Sequence, residues 1–566
     1  MTRRSQVQIL PPPPLGRSGI IKVPGPSGSP DRSLNWLSAT RKVTAYCGPV
    51  HLGPLRTLFW AFLLVACSST AAETITTVVS TRVTADTTTT AAENTTTVVS
   101  TRVTADTTTT AAENTTTVVS TRVTADTTTT VAETVTNAVG NSSALTADNS
   151  SYVFDQERLH TFELTLSDEA LAQIDRNPSA EEWVLGSLTF EGETIDRVGI
   201  RYKGSIGAWV GCLSDPNWSD PSGHRVCTKL SMKVKVNWDD SNREFHGLRR
   251  LQFHSMNLDP SQMHERLGYW LFREMGVPAP RSVHARLIVN GTYVGVFALT
   301  EQIDGRFTRH NFDDGTGNLY KEVWPFKGSS NTITPDFEFM RALKTNEDEN
   351  PSIELIKNFG SEVKAAGPDG AAEVVDRWMD VDEVLAWAVV DRIIRNDDGP
   401  FHWYCFDECR PHNYYWYEEP TTGTLHLIPW DLDNAFMNIV KDSNPVTPVA
   451  DAWGGVTANC LPFGYGDWGL SQRSAACDPL FAAWATFDDD YGRLLNEFLD
   501  GPFAEELVTA QIEAWVAQIA DATTQAADAH DDAVPVRKWT DAVDELLAAL
   551  DHARSIARTP RDAPDA

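Results

Sequence analysis

The chain is short of basic residues. Its 566 residues contain 47 Lys and Arg against 77 Asp and Glu, which gives a formal net charge of −30 at pH 7. Nucleic acids and anionic lipid surfaces attract proteins through positively charged patches. The charge balance therefore predicts no nucleic-acid partner, and it fits either a well-solvated surface or a protein substrate that is itself basic.

Apolar runs long enough to span a bilayer are also missing. The run at residues 58–66 is too short to cross comfortably. Arg56 precedes it, and Leu64-Val65-Ala66-Cys67 ends it in a pattern that looks like a bacterial lipoprotein signal. We therefore predict an exported, extracytoplasmic protein anchored to the membrane through a lipidated Cys67. A short signal anchor with a cytoplasmic tail is the alternative.

The position of this signal is unusual, because a signal peptide normally stands at the start of a chain. Residues 1–49 lack apolar periodicity and contain four consecutive prolines. We interpret residues 1–49 as a leader that results from a misassigned start, and residues 50–66 as the signal peptide.

Cysteine is scarce, with eight in the whole chain. Two of them, Cys47 and Cys67, fall in the leader and the signal. The other six lie in neighbouring pairs, which are Cys212 with Cys227, Cys405 with Cys409, and Cys460 with Cys477. An even count in an exported protein predicts three local disulfides. Zinc binding is the alternative, although no CxxC motif is present.

Aromatic residues are missing from residues 71–130, which are three near-copies of a Thr-rich unit of twenty residues. A unit with so few large apolar side chains cannot offset the conformational entropy lost on ordering. We therefore predict that residues 67–150 are a disordered Thr-rich repeat linker between the membrane and a folded part.

Residues 151–317 carry the alternation and turns of a β-rich N-lobe. We predict a helix over Ser261–Met275 and a hairpin that turns at Asn290-Gly291, a strong type I′ signal. Ser167 is placed to cap a short helix. The further predicted strands are Phe162–Leu166, two strands within Trp183–Lys203, and Lys229–Val236.

From residue 318 onward the pattern becomes mainly helical. Asp382–Ile394 is an apolar helix, and residues 503–555 are mostly amphipathic helix. Two strands, Tyr414–Tyr417 and Leu425–Ile428, flank Thr422-Gly423. We therefore predict an α+β chain in which a helical C-lobe, residues 318–566, follows the N-lobe.

Acidic and amide side chains gather where apolar segments of the C-lobe end. Asp431 and Asp433 follow the second of these strands, Asn413 precedes the first, and Asn396-Asp397-Asp398-Gly399 lies upstream. Carboxylate and amide oxygens are the ligands that Mg²⁺ prefers. Phosphoryl transfer needs such a metal, an Asp that orients the attacking hydroxyl, and a Lys on the phosphates.

Taken in order, the motifs from Tyr152 to Asn438 resemble the spore coat protein H (CotH) kinase family. The motifs are Arg201-Tyr202-Lys203-Gly204-Ser205, Lys229–Lys235, Gly247–Leu251, Met256-Asn257-Leu258-Asp259, Gly276–Pro280, Val289–Phe297 and Thr300–Asp304, followed by the acidic clusters above. The resemblance implies an atypical protein-kinase-like two-lobe fold that transfers phosphate from ATP to protein.

The resemblance also implies a metal site. Asp431 would bind Mg²⁺ or Mn²⁺ together with Asn413 and Asp433. Asp431 could instead cap the helix that follows it. The insertion Phe401–Pro411 lengthens the segment before Asn413 beyond the family spacing. The match of Asn413 to the family's metal-binding position is therefore less direct than that of Asp431.

Asp398 matches the family position that orients the substrate hydroxyl, and Asp397 is its rival. Lys233 would hold the phosphates of ATP while paired with Glu265, and Lys229 and Lys235 are the alternatives on the same strand face.

Further ATP contacts are implied for two backbone segments. Lys203, Gly204 and Ser205 would fold over the phosphates. Glu301, Gln302 and Ile303 would form the hinge beside the adenine.

The resulting hypothesis is an exported, lipid-anchored kinase that phosphorylates Ser or Thr of surface or secreted proteins. A non-catalytic surface adhesin or scaffold on the same fold is the alternative, because the Thr-rich linker fits display at a surface in either case. The presence of the acidic and amide residues and of Lys233 at the family's positions favours the kinase, since an adhesin does not need them. A metal-dependent hydrolase would use similar carboxylates but does not need the lysine-rich strand.

Overall fold

The computed structural model of the protein describes residues 150–558, except 210, 216, 218–219, 329, 397, 406–407, 437–458 and 466–469. The expected leader, signal peptide and lipidated Cys67, all but the last residue of the expected linker, and Asp397 lie outside these residues.

Seven strands close into a barrel in the order β1-β2-β3-β4-β5-β7-β6. Neighbouring strands are antiparallel except β1 and β6, which pair in parallel and close the barrel. The strands are β1 His160–Leu166, β2 Val184–Phe190, β3 Glu193–Tyr202, β4 Met232–Lys235, β5 Arg250–His254, β6 Ser282–Val289 and β7 Thr292–Thr300. Sequence patterning predicted most of these strands but not the closure, which joins segments far apart in the chain.

Local signals of the barrel region are confirmed. Asn290 and Gly291 have φ values of 49° and 74°, as a type I′ turn between β6 and β7 requires. The Ser167 hydroxyl accepts a hydrogen bond from the Ala170 backbone N–H and so caps a helix. The helices that accompany the barrel are α1 Ser150–Val153, α2 Asp168–Arg176, α3 Ile206–Trp209 and α5 Gly305–Asn311.

Strand β4 shows the predicted alternation, because Met232 and Val234 point into the barrel core while Lys233 and Lys235 lie on the other face. The strand is shorter than the predicted Lys229–Val236. Lys229 precedes it and therefore does not share its face.

The predicted helix at Ser261–Met275 is α4, which spans His264–Glu274. Its apolar side chains, among them Leu267, Leu271 and Phe272, belong to the large C-terminal core rather than to the barrel core. Helix α4 therefore connects the two parts of the protein. The other helices around the large core are α6 Asp336–Ala342, α7 Glu354–Trp378, α8 Val381–Ile393, α9 Pro479–Trp484, α10 Asp488–Asp500, α11 Glu505–Ala529 and α12 Val536–Ala557.

The C-terminal part is less purely helical than expected, since it contains two sheets. One has the order β12-β11-β8 and the other the order β10-β9-β14-β13. Their strands are β8 Leu319–Lys321, β9 His402–Cys405, β10 Cys409–Arg410, β11 Tyr414–Glu418, β12 Leu425–Pro429, β13 Phe463–Tyr465 and β14 Leu470–Ser474. The α+β class is confirmed.

Three disulfides join the pairs predicted from the sequence, which are Cys212–Cys227, Cys405–Cys409 and Cys460–Cys477. The pairing contradicts zinc binding by these cysteines. Within the described ranges, no helix combines the length and the apolar character needed to cross a membrane.

Candidate active site

The candidate site lies at one end of the β12-β11-β8 sheet. Glu322 follows β8, Asn413 precedes β11, and Asp431 comes two residues after the end of β12, so the antiparallel register brings the three together. Their φ values are 53°, 60° and 59°, in the left-handed region that non-glycine residues seldom adopt. Such strained backbone is concentrated at functional sites, which marks this sheet end.

Asp431 is fixed through its backbone, because its N–H donates to the Tyr269 hydroxyl of α4 at 2.9 Å. Its side chain makes no capping bond to the 3-10 helix Leu432–Asn434, so the capping interpretation is wrong. Burial and the charge of Glu265 raise the pKa of the Asp431 carboxyl, although Lys203 and Lys321 act in the opposite direction. The Asp431 carboxyl therefore lies among charged side chains of both signs, which are Glu265, Lys203 and Lys321.

Asp433 lies two residues further along the chain, inside the 3-10 helix. Its backbone carbonyl is 2.9 Å from Nδ1 of His264, which ties this turn to α4. Burial, followed by the charges of Asp431, Glu265 and Asp398, raises the pKa of Asp433 well above its usual value. The structure therefore brings the two predicted metal-binding carboxylates and the predicted catalytic one into a single electrostatic cluster.

Asp398 and Asn413 are joined directly. The Asn413 side-chain amide donates to the Asp398 carboxylate at 2.8 Å and to the Asp398 backbone carbonyl at 3.0 Å. The Tyr404 hydroxyl also bonds to the carboxylate. Burial and then the charge of Asp431 raise the pKa of Asp398 to about 7. A group with this pKa can accept and release a proton near neutral pH.

The side chains at this end of the β12-β11-β8 sheet carry the kind of ligand atoms that a hard divalent cation prefers. Asp431, Asp433 and Asn413 offer oxygen atoms, and Mg²⁺ prefers oxygen ligands. The charge of Asp431 raises the pKa of both Asp398 and Asp433, so a positive ion near them would relieve the repulsion. In the described part of the chain, no three His, Cys, Asp or Glu side chains already lie close enough together to hold a metal ion.

A chain of three side chains borders Asp431 on the barrel side. The Lys203 ammonium lies 2.5 Å from Nε2 of His254, at the end of β5. Nδ1 of the same imidazole lies 2.7 Å from both carboxylate oxygens of Glu265 on α4. Burial lowers the pKa of Lys203, while the charges of Asp431 and Glu265 oppose this shift.

The predicted pairing of Lys233 with Glu265 is wrong. Lys233 donates to the Gln302 side-chain oxygen instead, and burial together with the neighbouring charge of Lys203 lowers its pKa well below the usual value. The physical reason is that His254 occupies the side of Glu265 that faces the barrel.

The two alternative lysines lie elsewhere. The Lys229 ammonium lies over the Phe297 ring, and its removal from water there lowers the pKa to about 7. Lys235 lies over the Trp238 ring.

Of the three residues expected to fold over the phosphates, Lys203, Gly204 and Ser205, only the first has its side chain at the candidate site. Lys203 points into the cluster, whereas the Gly204 N–H already donates to the Glu181 carboxylate at 3.0 Å. A Cβ on Gly204 would come within 2.6 Å of the Ala208 Cβ, so glycine is required there for close packing. Ser205 is exposed.

The predicted hinge runs from the end of β7 to the start of α5. Glu301 forms a buried ion pair with Arg281 at 2.6 Å. Gln302 accepts from Lys233, and Ile303 packs in the small core beneath Tyr415 and Trp430. The segment therefore joins the barrel to the three-stranded sheet.

Sequence reasoning missed four residues of the site. His254 ends a short apolar strand, and Tyr404 lies in the insertion, so no motif marks either one. Lys321 ends β8 and Glu322 follows it. The Nζ atoms of Lys203 and Lys321 lie 5.5 and 5.9 Å from the centre of the Trp430 ring. A Lys-Glu pair directly after Leu319-Tyr320 was the available sign for the last two.

Comparison with known proteins places the candidate site within a matched family region. The family model described as CotH kinase protein matches residues 200–553, which is more than half of the chain. The match includes every described residue of the cluster.

Two curated relatives come from Bacillus subtilis (strain 168). Inner spore coat protein H is 24% identical over 202 residues, which cover 34% of this chain and 51% of the relative. Inner spore coat protein H-like protein is 24% identical over 174 residues, covering 31% and 48%. The chain thus spans about half the length of the curated relatives that it matches.

Among solved structures, a complex of Shewanella oneidensis MR-1 HipA, HipB and their operator DNA shares 14% identity over 56% of this chain and 61% of the matched chain. The TM-score is 0.23, which is too low to establish a shared fold.

Proposed function

The chain belongs to the CotH kinase family, and from that premise we propose that it is an atypical protein kinase. It transfers the γ-phosphate of ATP to Ser or Thr hydroxyls of a protein substrate. The observation that carries the proposal is the hydrogen-bonded pair Asp398–Asn413 beside Asp431, at a sheet end that Lys203 approaches from the barrel.

Asp398 acts on the substrate hydroxyl. The hydroxyl oxygen forms a bond to the γ-phosphorus, the bond from that phosphorus to the bridging oxygen breaks, and ADP leaves. Asp398 orients the hydroxyl and takes its proton. Its pKa of about 7 supports this role, because the group is partly ionised at neutral pH.

Asp431, Asp433 and the Asn413 amide oxygen would hold Mg²⁺ or Mn²⁺. A divalent ion bound there would offset negative charge on the phosphate oxygens. The protein's part is to orient these donors, which the Tyr269 bond to the Asp431 backbone and the Asn413 bond to Asp398 do.

Lys203, rather than Lys233, binds the phosphates. The Lys203 ammonium contacts His254, which contacts Glu265, and the charge of Asp431 acts on the same ammonium. Lys203 would therefore lie beside the metal–nucleotide complex. Lys233 and Gln302 line the neighbouring hinge, where the adenine would sit.

We further propose that the protein works outside the cytoplasm, attached to the membrane by a lipid on Cys67. The lipoprotein-type signal and the three disulfides support this. The excess of acidic residues favours a basic protein substrate. Intact mass of membrane-extracted protein tests the anchor, and a species that still carries residues 63–65 would contradict it.

The kinase proposal is tested by incubating the protein with labelled ATP, Mg²⁺ or Mn²⁺, and a basic Ser-rich protein. We expect phosphoserine or phosphothreonine on the substrate with the wild type and none with Asp431→Asn. Absence of nucleotide binding by the wild type with either metal would overturn the proposal and favour a surface adhesin.

A further inference from the structure

His254 lies between the two charged groups that a kinase would bring together. Its Nε2 is 2.5 Å from the Lys203 ammonium, and its Nδ1 is 2.7 Å from both oxygens of Glu265. The residue is only 8% exposed, so water cannot readily replace either contact. Lysine and glutamate thus interact through an imidazole rather than with each other.

The two partners fix the state of the ring. A carboxylate only accepts hydrogen bonds and an ammonium only donates them. Nδ1 must therefore carry the proton that goes to Glu265, and Nε2 must be bare so that it can accept from Lys203. The neutral Nδ1–H tautomer is the one form that satisfies both contacts.

The surroundings hold the imidazole in this orientation. His254 pairs with Ala298 of β7 in the barrel register, and its ring meets the Trp430 ring edge-on at 5.9 Å. Thr300 Oγ1 contacts Glu265 at 3.4 Å from the other side. Three separate elements therefore meet at His254, which are the barrel, α4 and the strand end that bears Asp431.

We propose that His254 is a positioning residue that links Glu265 to Lys203 and so holds the ammonium where the phosphates of ATP bind. The role rests on the proposed kinase function and adds to it. Without the imidazole, Lys203 would lose its hydrogen-bond acceptor and its link to the α4 carboxylate. Burial already lowers the pKa of Lys203, so the Glu265 charge helps it to stay protonated.

The test uses the full-length protein and compares His254→Leu with His254→Gln. Leucine keeps apolar contact with Trp430 but makes neither hydrogen bond. A glutamine amide can accept from Lys203 and donate to Glu265, so it can restore the link. Hydrogen bonds to charged groups typically contribute enough for about a ten- to hundredfold change in an equilibrium constant.

We expect His254→Leu to weaken ATP binding about tenfold or more by calorimetry, and His254→Gln to recover most of it. Affinity for adenosine, which has no phosphates, should stay at the wild-type value in both variants. A general loss of folding would lower both affinities.

A double-mutant cycle shows whether His254 affects ATP binding through Lys203 or independently of it. If His254 acts through Lys203, then Lys203→Met/His254→Leu should bind ATP no more weakly than Lys203→Met alone. Losses that multiply would overturn the proposal. Should His254→Leu fail to fold, Glu265→Gln tests the same link, since it should weaken ATP binding in the wild type and not in the Lys203→Met variant.

His426 provides a matched control. It is another buried histidine that contacts a glutamate, Glu383, at 3.0 Å, and its ring packs against the rings of Phe312 and Tyr417. His426→Leu should lower thermal stability and leave ATP affinity unchanged. Equal loss of ATP affinity in His426→Leu would overturn a positioning role for His254.

The outcomes also separate this role from the function it rests on. A wild type that binds no ATP overturns the kinase proposal, and the role of His254 with it. A wild type that binds ATP, together with a His254→Leu variant that binds it equally well, overturns the role of His254 alone.

Discussion

Asn413 donates its side-chain amide to two atoms of Asp398, the carboxylate at 2.8 Å and the backbone carbonyl at 3.0 Å. The bonds connect the turn after α8 to the start of β11, where the Asn413 backbone is left-handed. A carboxylate held in this way has one oxygen committed to the amide, and the strand end that bears Asn413 fixes its orientation.

We expect Asn413→Ala to lower the rate of phosphate transfer about ten- to hundredfold, the usual effect of losing a hydrogen bond to a charged group. Affinity for Mg²⁺–ATP should fall as well, because the same amide supplies a metal-binding oxygen. Steady-state kinetics and calorimetry check both. Asn311→Ala, which removes an amide bonded to Phe307 on a surface helix, is the control and should change neither.

Lys203→Met should weaken ATP binding more than Lys233→Met. Lys203 is linked to Glu265 and lies near Asp431, whereas Lys233 is bonded to Gln302 at the hinge. Calorimetric titration with ATP measures the difference. Lys235→Met, on the same face of β4 as Lys233 but over the Trp238 ring, should bind like the wild type. A larger loss in Lys233→Met would return the phosphate role to Lys233.

Tyr404→Phe should lower the transfer rate about tenfold or more, since it removes one hydrogen bond to the Asp398 carboxylate. The Tyr404 hydroxyl lowers the pKa of Asp398, so its loss should raise that pKa above about 7. The rate should therefore need a higher pH to reach its plateau than it does in the wild type. A pH–rate profile of both proteins checks this, and coincident acid limbs would contradict the contact.

Stability should depend on pH through two aspartates. Burial raises the pKa of Asp391 and of Asp478 to about 7, against about 3.9 in an unfolded chain. Between these values the folded state binds more protons, so the free energy of unfolding should fall as pH rises from about 4 to 7. Asp391→Asn and Asp478→Asn should each flatten this dependence in denaturant titrations. Asp369→Asn, at an exposed position, should leave the slope unchanged.

The elements that sequence patterning predicted are those set by neighbouring residues. The Asn290-Gly291 turn, the Ser167 cap and the alternation of Met232 and Val234 depend on a few adjacent positions. The Asp431 and Asp433 cluster was predicted because two carboxylates directly follow an apolar strand.

The features that escaped prediction depend on distant parts of the chain. The barrel closes through β1 and β6, and α4 packs into the C-terminal core. Lys233 alternates as expected, but which lysine reaches the His254–Glu265 pair depends on where β3 ends relative to α4. His254 reaches Glu265 only because β5 and α4 fold together, and a lone histidine at a strand end carries no pattern.

The most direct test compares phosphate transfer by the wild type with that by Asp398→Asn, with Mg²⁺–ATP affinity measured on the same preparations. Loss of a positioned catalytic base typically lowers a rate about 10²–10⁴-fold. We expect a fall of that size in Asp398→Asn with ATP affinity nearly unchanged, and a full rate in Asp397→Asn. Full-rate transfer by Asp398→Asn would contradict the assignment, and loss of transfer in Asp397→Asn alone would move the role to Asp397.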